Sequence, residues 1–170
     1  LDDGFVVVGD QRLDGGDRAL WLGFLDGSGR LVRQEIVREA GAELSFTAFE
    51  VKGDGSGYIA AASFKAVGQG RAAAHVPALQ GVDKRSSALY HLSLGGQLEK
   101  RVAFLPSADN HIYALKWLDQ GGYVAAGYAR NALNGRKAGW VMHIGVDVQL
   151  VSQYELARGS EAVFHTVDQL

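Results

Sequence analysis

The sequence of 170 residues has no cysteine, only two prolines and a single methionine. Without thiols, disulfide scaffolds and thiolate metal sites are excluded. It also has no H-E-x-x-H pair, no D-x-D-x-D-G calcium loop and no G-x-S-x-G turn, so it predicts no metal site, no cofactor and no serine nucleophile. Because no run of about 18 apolar residues occurs, we expect no membrane-spanning helix.

Glycine, by contrast, is abundant, with 23 residues, about twice its usual share of ~7 %. Glycine-rich turns precede three similar apolar runs: L-D-D-G-F-V-V-V-G from residue 1, G-S-G-Y-I-A-A-A-S from residue 55 and L-D-Q-G-G-Y-V-A-A-G-Y-A from residue 118. Phe5, Tyr58 and Tyr123 occupy one aligned position. A tight turn favours glycine, and an aromatic followed by β-branched or small apolar residues favours a buried strand. Each copy therefore predicts a β-hairpin.

A second repeated sequence pattern lies downstream of each turn. Residues 21–31 align without a gap on residues 140–150, and residues 88–98 fit the same pattern. The pattern is an apolar run, a Gly or Asp turn and a mixed strand, which predicts third strands over 30–37, 97–105 and 149–156. Fourth strands are predicted over 45–51, 111–118 and 163–170. The single segment 1–170 is thus predicted to hold three modules, approximately residues 1–51, 52–117 and 118–170.

These residues resemble the bacterial β-propeller repeats of the D-G-G-Y-V-x-A-G and W-L-x-x-L-D-x-x-G type. The matching text is D-Q-G-G-Y-V-A-A-G at 119–127, W-L-G-F-L-D-G-S-G at 21–29 and A-L-K-W-L at 114–118, and the resemblance covers essentially the whole chain. Departures are G-D-G-S-G at 53–57 and Ala88, where the other copies have tryptophan. The resemblance implies an all-β propeller with three four-stranded blades and leaves the function open.

Three blades are too few for a ring, because propellers have about four to eight. The last predicted strand lacks a hairpin and the first hairpin lacks an inner strand, so a second copy (a homodimer) or the remaining blades of a longer parent chain would close the ring. The absent initiator methionine favours a longer parent, and we expect a secreted, periplasmic or cell-envelope location. The alternative fold is α+β, with a helix over 32–44; Gly41 argues against it.

Basic residues concentrate in the predicted connections between second and third strands, which would share one rim. A positive rim attracts anionic partners, so the leading hypothesis is a non-catalytic binding or scaffold module that recognises a protein partner or an anionic polymer. Sequence-specific nucleic-acid binding is not indicated at a pI of about 6.2. The alternative is that these loops are simply solvated. The basic-rim candidates are Arg71, Lys84, Arg85, Arg130, Arg136 and Lys137.

A second candidate site lies on the predicted inner strands, where Glu50, Lys116 and Asp168 share one aligned position and would form a ring of charges at the channel mouth. With His165, which aligns with Thr47 and Tyr113, they offer an acid and a base for an enzyme, a hydrolase or lyase. A third possibility is a structural part of a larger secreted or envelope protein. The long connection 64–85 is a further place where binding residues could collect.

Overall fold

All regular secondary structure in the described part of the chain is β-strand. A computed structural model describes residues 4–39, 41–66, 85–104, 109–130, 136–156 and 161–169. No helix long and apolar enough to cross a membrane occurs within these ranges. The strands are β1 (Phe5–Arg12), β2 (Arg18–Leu25), β3 (Leu31–Val37), β4 (Ala42–Val51), β5 (Gly57–Ala66), β6 (Ser86–Ser93), β7 (Leu98–Phe104), β8 (Asn110–Trp117), β9 (Tyr123–Arg130), β10 (Lys137–Ile144) and β11 (Leu150–Leu156).

The strands form three antiparallel sheets in chain order. Sheet 1 is β1-β2-β3, sheet 2 is β4-β5-β6-β7 and sheet 3 is β8-β9-β10-β11. Within each sheet every strand pairs with its neighbour in sequence, so short glycine turns are sufficient as connections. Residues 32–44, the alternative helix, instead form most of β3 and the start of β4, separated by Gly41 at φ 72°. The rejection of the α+β fold is confirmed.

Sheet 2 packs between the other two sheets through its opposite faces. Tyr58 and Ala60 of β5 belong to a buried cluster with Leu22 of sheet 1. Ile59 of the same strand belongs to a second cluster, with Trp140 of sheet 3. This division follows from the pleat of a strand, in which successive side chains point to opposite faces. Central strands buried on both sides carry continuous apolar and small residues, whereas the outer strand β11 is exposed along its length.

We call β4 and β8 the inner strands, because they mediate the main contacts between sheets. β4 begins sheet 2 and lies against β1 and β2 of sheet 1, and β8 begins sheet 3 and lies against β4, β5 and β6 of sheet 2. Residues 161–169 lie against sheet 3 in the same manner: the amide of Ala162 donates to the Lys137 carbonyl at 3.1 Å, and the amide of Phe164 donates to the Gly127 carbonyl at 3.1 Å.

Two features differ from the sequence prediction of three four-stranded blades. Sheet 1 has three strands, and the predicted strand 163–170 is not formed over 163–169, while residue 170 lies outside the described residues. The physical reason is the same in both places. A strand is defined by ladder hydrogen bonds to a neighbour; β4 and β8 pair with the hairpins that follow them, whereas no described strand lies beside 161–169 or along the outer edge of β1.

Candidate functional site

Four aromatic and histidine rings lie together at one end of sheet 3. His111 and Tyr113 come from β8, Tyr128 comes from β9, and His165 comes from the segment 161–169. His111 and Tyr113 are two residues apart on a strand, so they project from the same face. The ring centroids of His111 and Tyr113 are 4.4 Å apart, those of Tyr113 and His165 are 4.8 Å apart, and His111 stacks on Tyr128 at 6.0 Å.

Burial and nearby charges set the ionisation of this ring cluster. Burial, together with the positive charge of Arg85, lowers the pKa of His111 below its usual 6.5. Burial and the neighbouring Asp109 carboxylate raise the pKa of Tyr128 to about 12. At neutral pH His111 and Tyr128 are therefore uncharged, and their ring faces are available for stacking. His165 is exposed and Tyr113 is half-buried, so part of the cluster reaches solvent.

Basic side chains border the ring cluster. The ammonium group of Lys137 lies 4.5 Å from the centroid of Tyr128, a cation–π contact. Arg130 donates through Nε to Asp109 at 2.6 Å, and the hydroxyl of Tyr128 donates to the same carboxylate at 3.3 Å. Arg136 is exposed next to Lys137. Asp109 thus holds Arg130 and Tyr128 in place, and Lys137 lies over the ring of Tyr128.

Of the six basic-rim candidates, four are described. Arg85 precedes β6, Arg130 ends β9, Arg136 precedes β10 and Lys137 begins it, so all four stand where second and third strands of a sheet connect. Arg71 and Lys84 lie outside the described residues, as does most of the long connection 64–85.

Of the predicted inner-strand charges, Glu50 lies in β4 and Lys116 in β8, whereas Asp168 lies in the segment 161–169. Lys116 lies 3.4 Å from the carboxylate of Asp168. Glu50 accepts a hydrogen bond from the Trp117 amide at 3.4 Å. Hydrogen bonds from the Gln169 amide and from Lys116 lower the pKa of Asp168. His165 contacts the Tyr113 ring rather than forming a pair with these charges. The proposed acid and base are therefore held in an ion pair and a backbone contact. Within the described ranges, no group of three or more His, Asp or Glu side chains could hold a metal ion.

A separate cavity of about 560 Å³ opens between sheets 1 and 2. Its walls include Val6, Phe24 and Tyr58, and its one charged lining group is Arg33, whose guanidinium lies 4.0 Å from the centroid of Phe24. Sequence reasoning did not predict this cavity. Its walls come from β1, β2, β3, β5 and the turn between β6 and β7, and only the packing of two sheets brings them together.

The sequence also did not single out Asp109, His111, Tyr113 and Tyr128 as a site. The alignment of His165 with Tyr113 was the available signal, and the structure places these two aligned rings 4.8 Å apart. Searches against known proteins give no match: no protein-family model and no curated protein matches the chain.

Proposed function

We propose that the chain is a non-catalytic binding module, a segment of a β-propeller whose basic rim captures an anionic polymer such as an acidic glycan. The observation that carries the proposal is the shared location of the ring cluster and the basic residues at one end of sheet 3, where Lys137 touches Tyr128 and Arg85 influences His111.

The propeller arrangement is supported by the packing of the sheets. Each inner strand lies on the preceding sheet, as β8 does on β4, β5 and β6. Sheets that approach each other most closely along one edge are arranged radially about a common axis, as propeller blades are. In that arrangement the connections that carry Arg85, Arg130, Arg136 and Lys137 share one rim, and the inner-strand charges Glu50, Lys116 and Asp168 face the axis.

The chemistry of the rim suits an acidic sugar polymer. Pyranose rings present apolar C–H faces that pack on aromatic rings, and Tyr113 and His165 offer such surfaces. Carboxylate or sulfate groups of the polymer would pair with Lys137 and Arg85 through charge-assisted hydrogen bonds, about twice as strong as neutral ones.

The test is a titration of the full chain with polygalacturonate, an acidic polysaccharide, by isothermal calorimetry. We expect binding that weakens at least tenfold between 50 and 300 mM NaCl, because salt screens exposed charges. The double variant Arg85→Gln with Lys137→Gln should weaken binding at least tenfold. Tyr113→Ala should weaken it several-fold at every salt concentration, because stacking does not depend on charge.

The control is Arg30→Gln, which removes a more exposed positive charge from the turn between β2 and β3, where Arg30 pairs with Asp26. This variant should bind as the unmodified chain does. Salt-independent binding, equal binding of neutral dextran, or equal losses from Arg30→Gln and the double variant would contradict the proposal.

A further inference from the structure

The outer edge of β1 is an unpaired strand edge with exposed apolar side chains. Phe5 is 60 % exposed, although the aligned Tyr58 and Tyr123 are 9 % and 1 % exposed. Val7 is exposed as well, whereas the aligned Ala60 and Ala125 are fully buried. Natural sheets rarely leave a long apolar edge uncovered, because it invites pairing with another strand.

The two aligned tyrosines show what normally covers this position. Tyr58 stacks on Phe49 of its own inner strand at 5.4 Å and makes a tilted ring contact with Phe24 of the preceding sheet at 6.2 Å. Tyr123 packs against Trp117 of its own inner strand at 4.9 Å and against His91 of the preceding sheet at 6.0 Å. Among the residues that the structure describes, neither an inner strand paired with β1 nor a preceding sheet covers Phe5.

The opposite end of the stack has the complementary features. Residues 161–169 lie on sheet 3 as an inner strand does, yet pair with no described strand. His143 of β10 aligns with Phe24 and His91, the two residues that cover the tyrosines. Tyr154 and Leu156 of β11 leave apolar surface exposed on sheet 3, although Phe104, which aligns with Leu156, is buried against Trp140.

The burial of the two aligned tryptophans, Trp21 and Trp140, shows the same difference between an uncovered and a covered sheet. Trp140 of β10 is fully buried between sheets 3 and 2, whereas the aligned Trp21 of β2 is only half-buried, with no sheet in front of it. Both indole nitrogens donate to a glutamine of the next strand, at 3.0 Å to Gln34 and 3.1 Å to Gln153. The local structure is therefore equal at the two tryptophans, and only the covering sheet is missing at Trp21.

We propose that two copies of this chain associate in a closed ring, in which residues 162–169 of each copy pair antiparallel with β1 of the other. The partner's His143 covers Phe5, and the partner's Leu156 packs against Trp21. This inference rests on the radial arrangement proposed above and is independent of anion binding. A second copy is sufficient because one chain carries both surfaces of the contact, the edge of β1 and residues 161–169. Within one chain these two surfaces are separated by sheets 2 and 3.

The register of the new pair follows from the existing ones. β4 opposes β5 with Val51 at Tyr58, and β8 opposes β9 with Trp117 at Tyr123. Both pairs shift register around one bulged residue, Thr47 in β4 and Tyr113 in β8.

Applied to β1, this register places Gln169 opposite Phe5, Asp168 opposite Val6 and Val167 opposite Val7. The bulge falls at His165, the residue that aligns with Thr47 and Tyr113. Phe164 then lies opposite Gly9.

The first test is the mass of the chain in solution by analytical ultracentrifugation. We expect a particle of twice the chain mass of 18.2 kDa. Val7→Lys places a charge on the β1 edge and should raise the dissociation constant at least tenfold. Its control is Val146→Lys, which alters another exposed valine, in the turn between β10 and β11, and should leave the mass unchanged. A monomer at all concentrations, or a larger open polymer, would overturn the proposal.

The second test uses the absence of cysteine. The double variant Phe5→Cys with Gln169→Cys should form a disulfide between copies on mild oxidation, because directly opposed residues of antiparallel strands lie within disulfide reach. The covalent dimer is read on a non-reducing gel. Arg12→Cys with Gln169→Cys, out of register, should remain monomeric on the same gel. Cross-linking within one chain, or equal dimer from both pairs, would overturn the register and the closure. Polysaccharide binding plays no part in either readout.

Discussion

His91 is a buried histidine at the boundary between sheets 2 and 3. It is 7 % exposed, its ring meets the edge of Tyr123, and its Nε2 has no hydrogen-bond partner within the described part of the chain. Burial, reinforced by the positive charges of Lys52 and Lys100 and opposed by Glu99, lowers the pKa of His91 to about 4. The folded state therefore holds this side chain uncharged.

A pH dependence of stability follows from this pKa. An unfolded histidine protonates near pH 6.5, whereas folded His91 resists protonation until about pH 4. The neutral form thus stabilises the fold fully above pH 6.5, and the contribution is lost as pH falls toward 4, by about 2 kcal/mol between pH 7 and pH 4.5. His91→Phe, which introduces the residue aligned at Phe24, should remove this loss. Urea unfolding at the two pH values measures it.

The control for this prediction is His143→Phe, at the aligned position of sheet 3, where the side chain is less buried. Its stability should fall with pH as in the unmodified chain. The interpretation would be wrong if His91→Phe showed an undiminished difference between pH 7 and pH 4.5.

At the scale of the strands, close approach of backbones makes one glycine indispensable. A Cβ added at Gly127 of β9 would stand 1.8 Å from the carbonyl oxygen of His111, at the point where β8 shifts register. Gly127→Ala should therefore separate β8 from β9 and reduce the free energy of unfolding by roughly 2–4 kcal/mol. Chemical denaturation followed by circular dichroism measures this loss.

The matched variant is Gly9→Ala in β1. Gly9 aligns with Gly127, but an added Cβ meets nothing within 4 Å, and the aligned residue in β5 is Ala62. A loss below about 0.5 kcal/mol is expected there at concentrations where the chain is monomeric, because in the proposed dimer the partner's Phe164 would lie opposite Gly9. Equal losses in the two variants would show that strand propensity, rather than the contact with the inner strand, governs this position.

The strands themselves are largely predictable from local sequence. The predicted strands 45–51, 111–118 and 30–37 coincide within a few residues with β4, β8 and β3, because glycine turns and alternating apolar residues are local signals. The failure at 163–169 is not local, since a strand requires a partner from elsewhere. The ring cluster was missed for the same reason: three separate segments bring His111, Tyr128 and His165 together.

At the scale of the whole molecule, the outward faces of sheet 1 and sheet 3 differ from the faces between sheets, because no described sheet covers them. The proposed ring would cover Trp21 with a second copy, while Trp140 is covered within the chain. Tryptophan fluorescence should therefore report association: the emission should shift to longer wavelength on dilution as Trp21 becomes hydrated.

The shift should disappear in Trp21→Phe, whose own association is followed by sedimentation, and persist in Trp117→Phe. Trp117 packs on Tyr123 inside the chain and does not change surroundings on dissociation. An unchanged emission spectrum over a thousand-fold dilution, in a range where sedimentation shows dissociation, would place Trp21 outside the contact.

The sequence predicted three modules, their all-β character and the absence of an inner strand from the first hairpin, although it described all three blades as four-stranded, whereas sheet 1 has three strands. It also left open whether a second copy or further blades of a longer chain complete the ring, because both supply the same strand. That choice depends on association, which no local pattern of residues encodes.

The open edge of β1 and the lone segment 161–169 are unlike surfaces, so a contact between them joins head to tail. Such a contact occupies the β1 edge of one molecule and the segment 161–169 of the other. The remaining end of each molecule is then available to bind a further copy. Only the curvature of the stack decides whether the series closes on itself or grows without limit. A substitution that flattens the angle between neighbouring sheets, without touching either end, would therefore convert a compact particle into a filament.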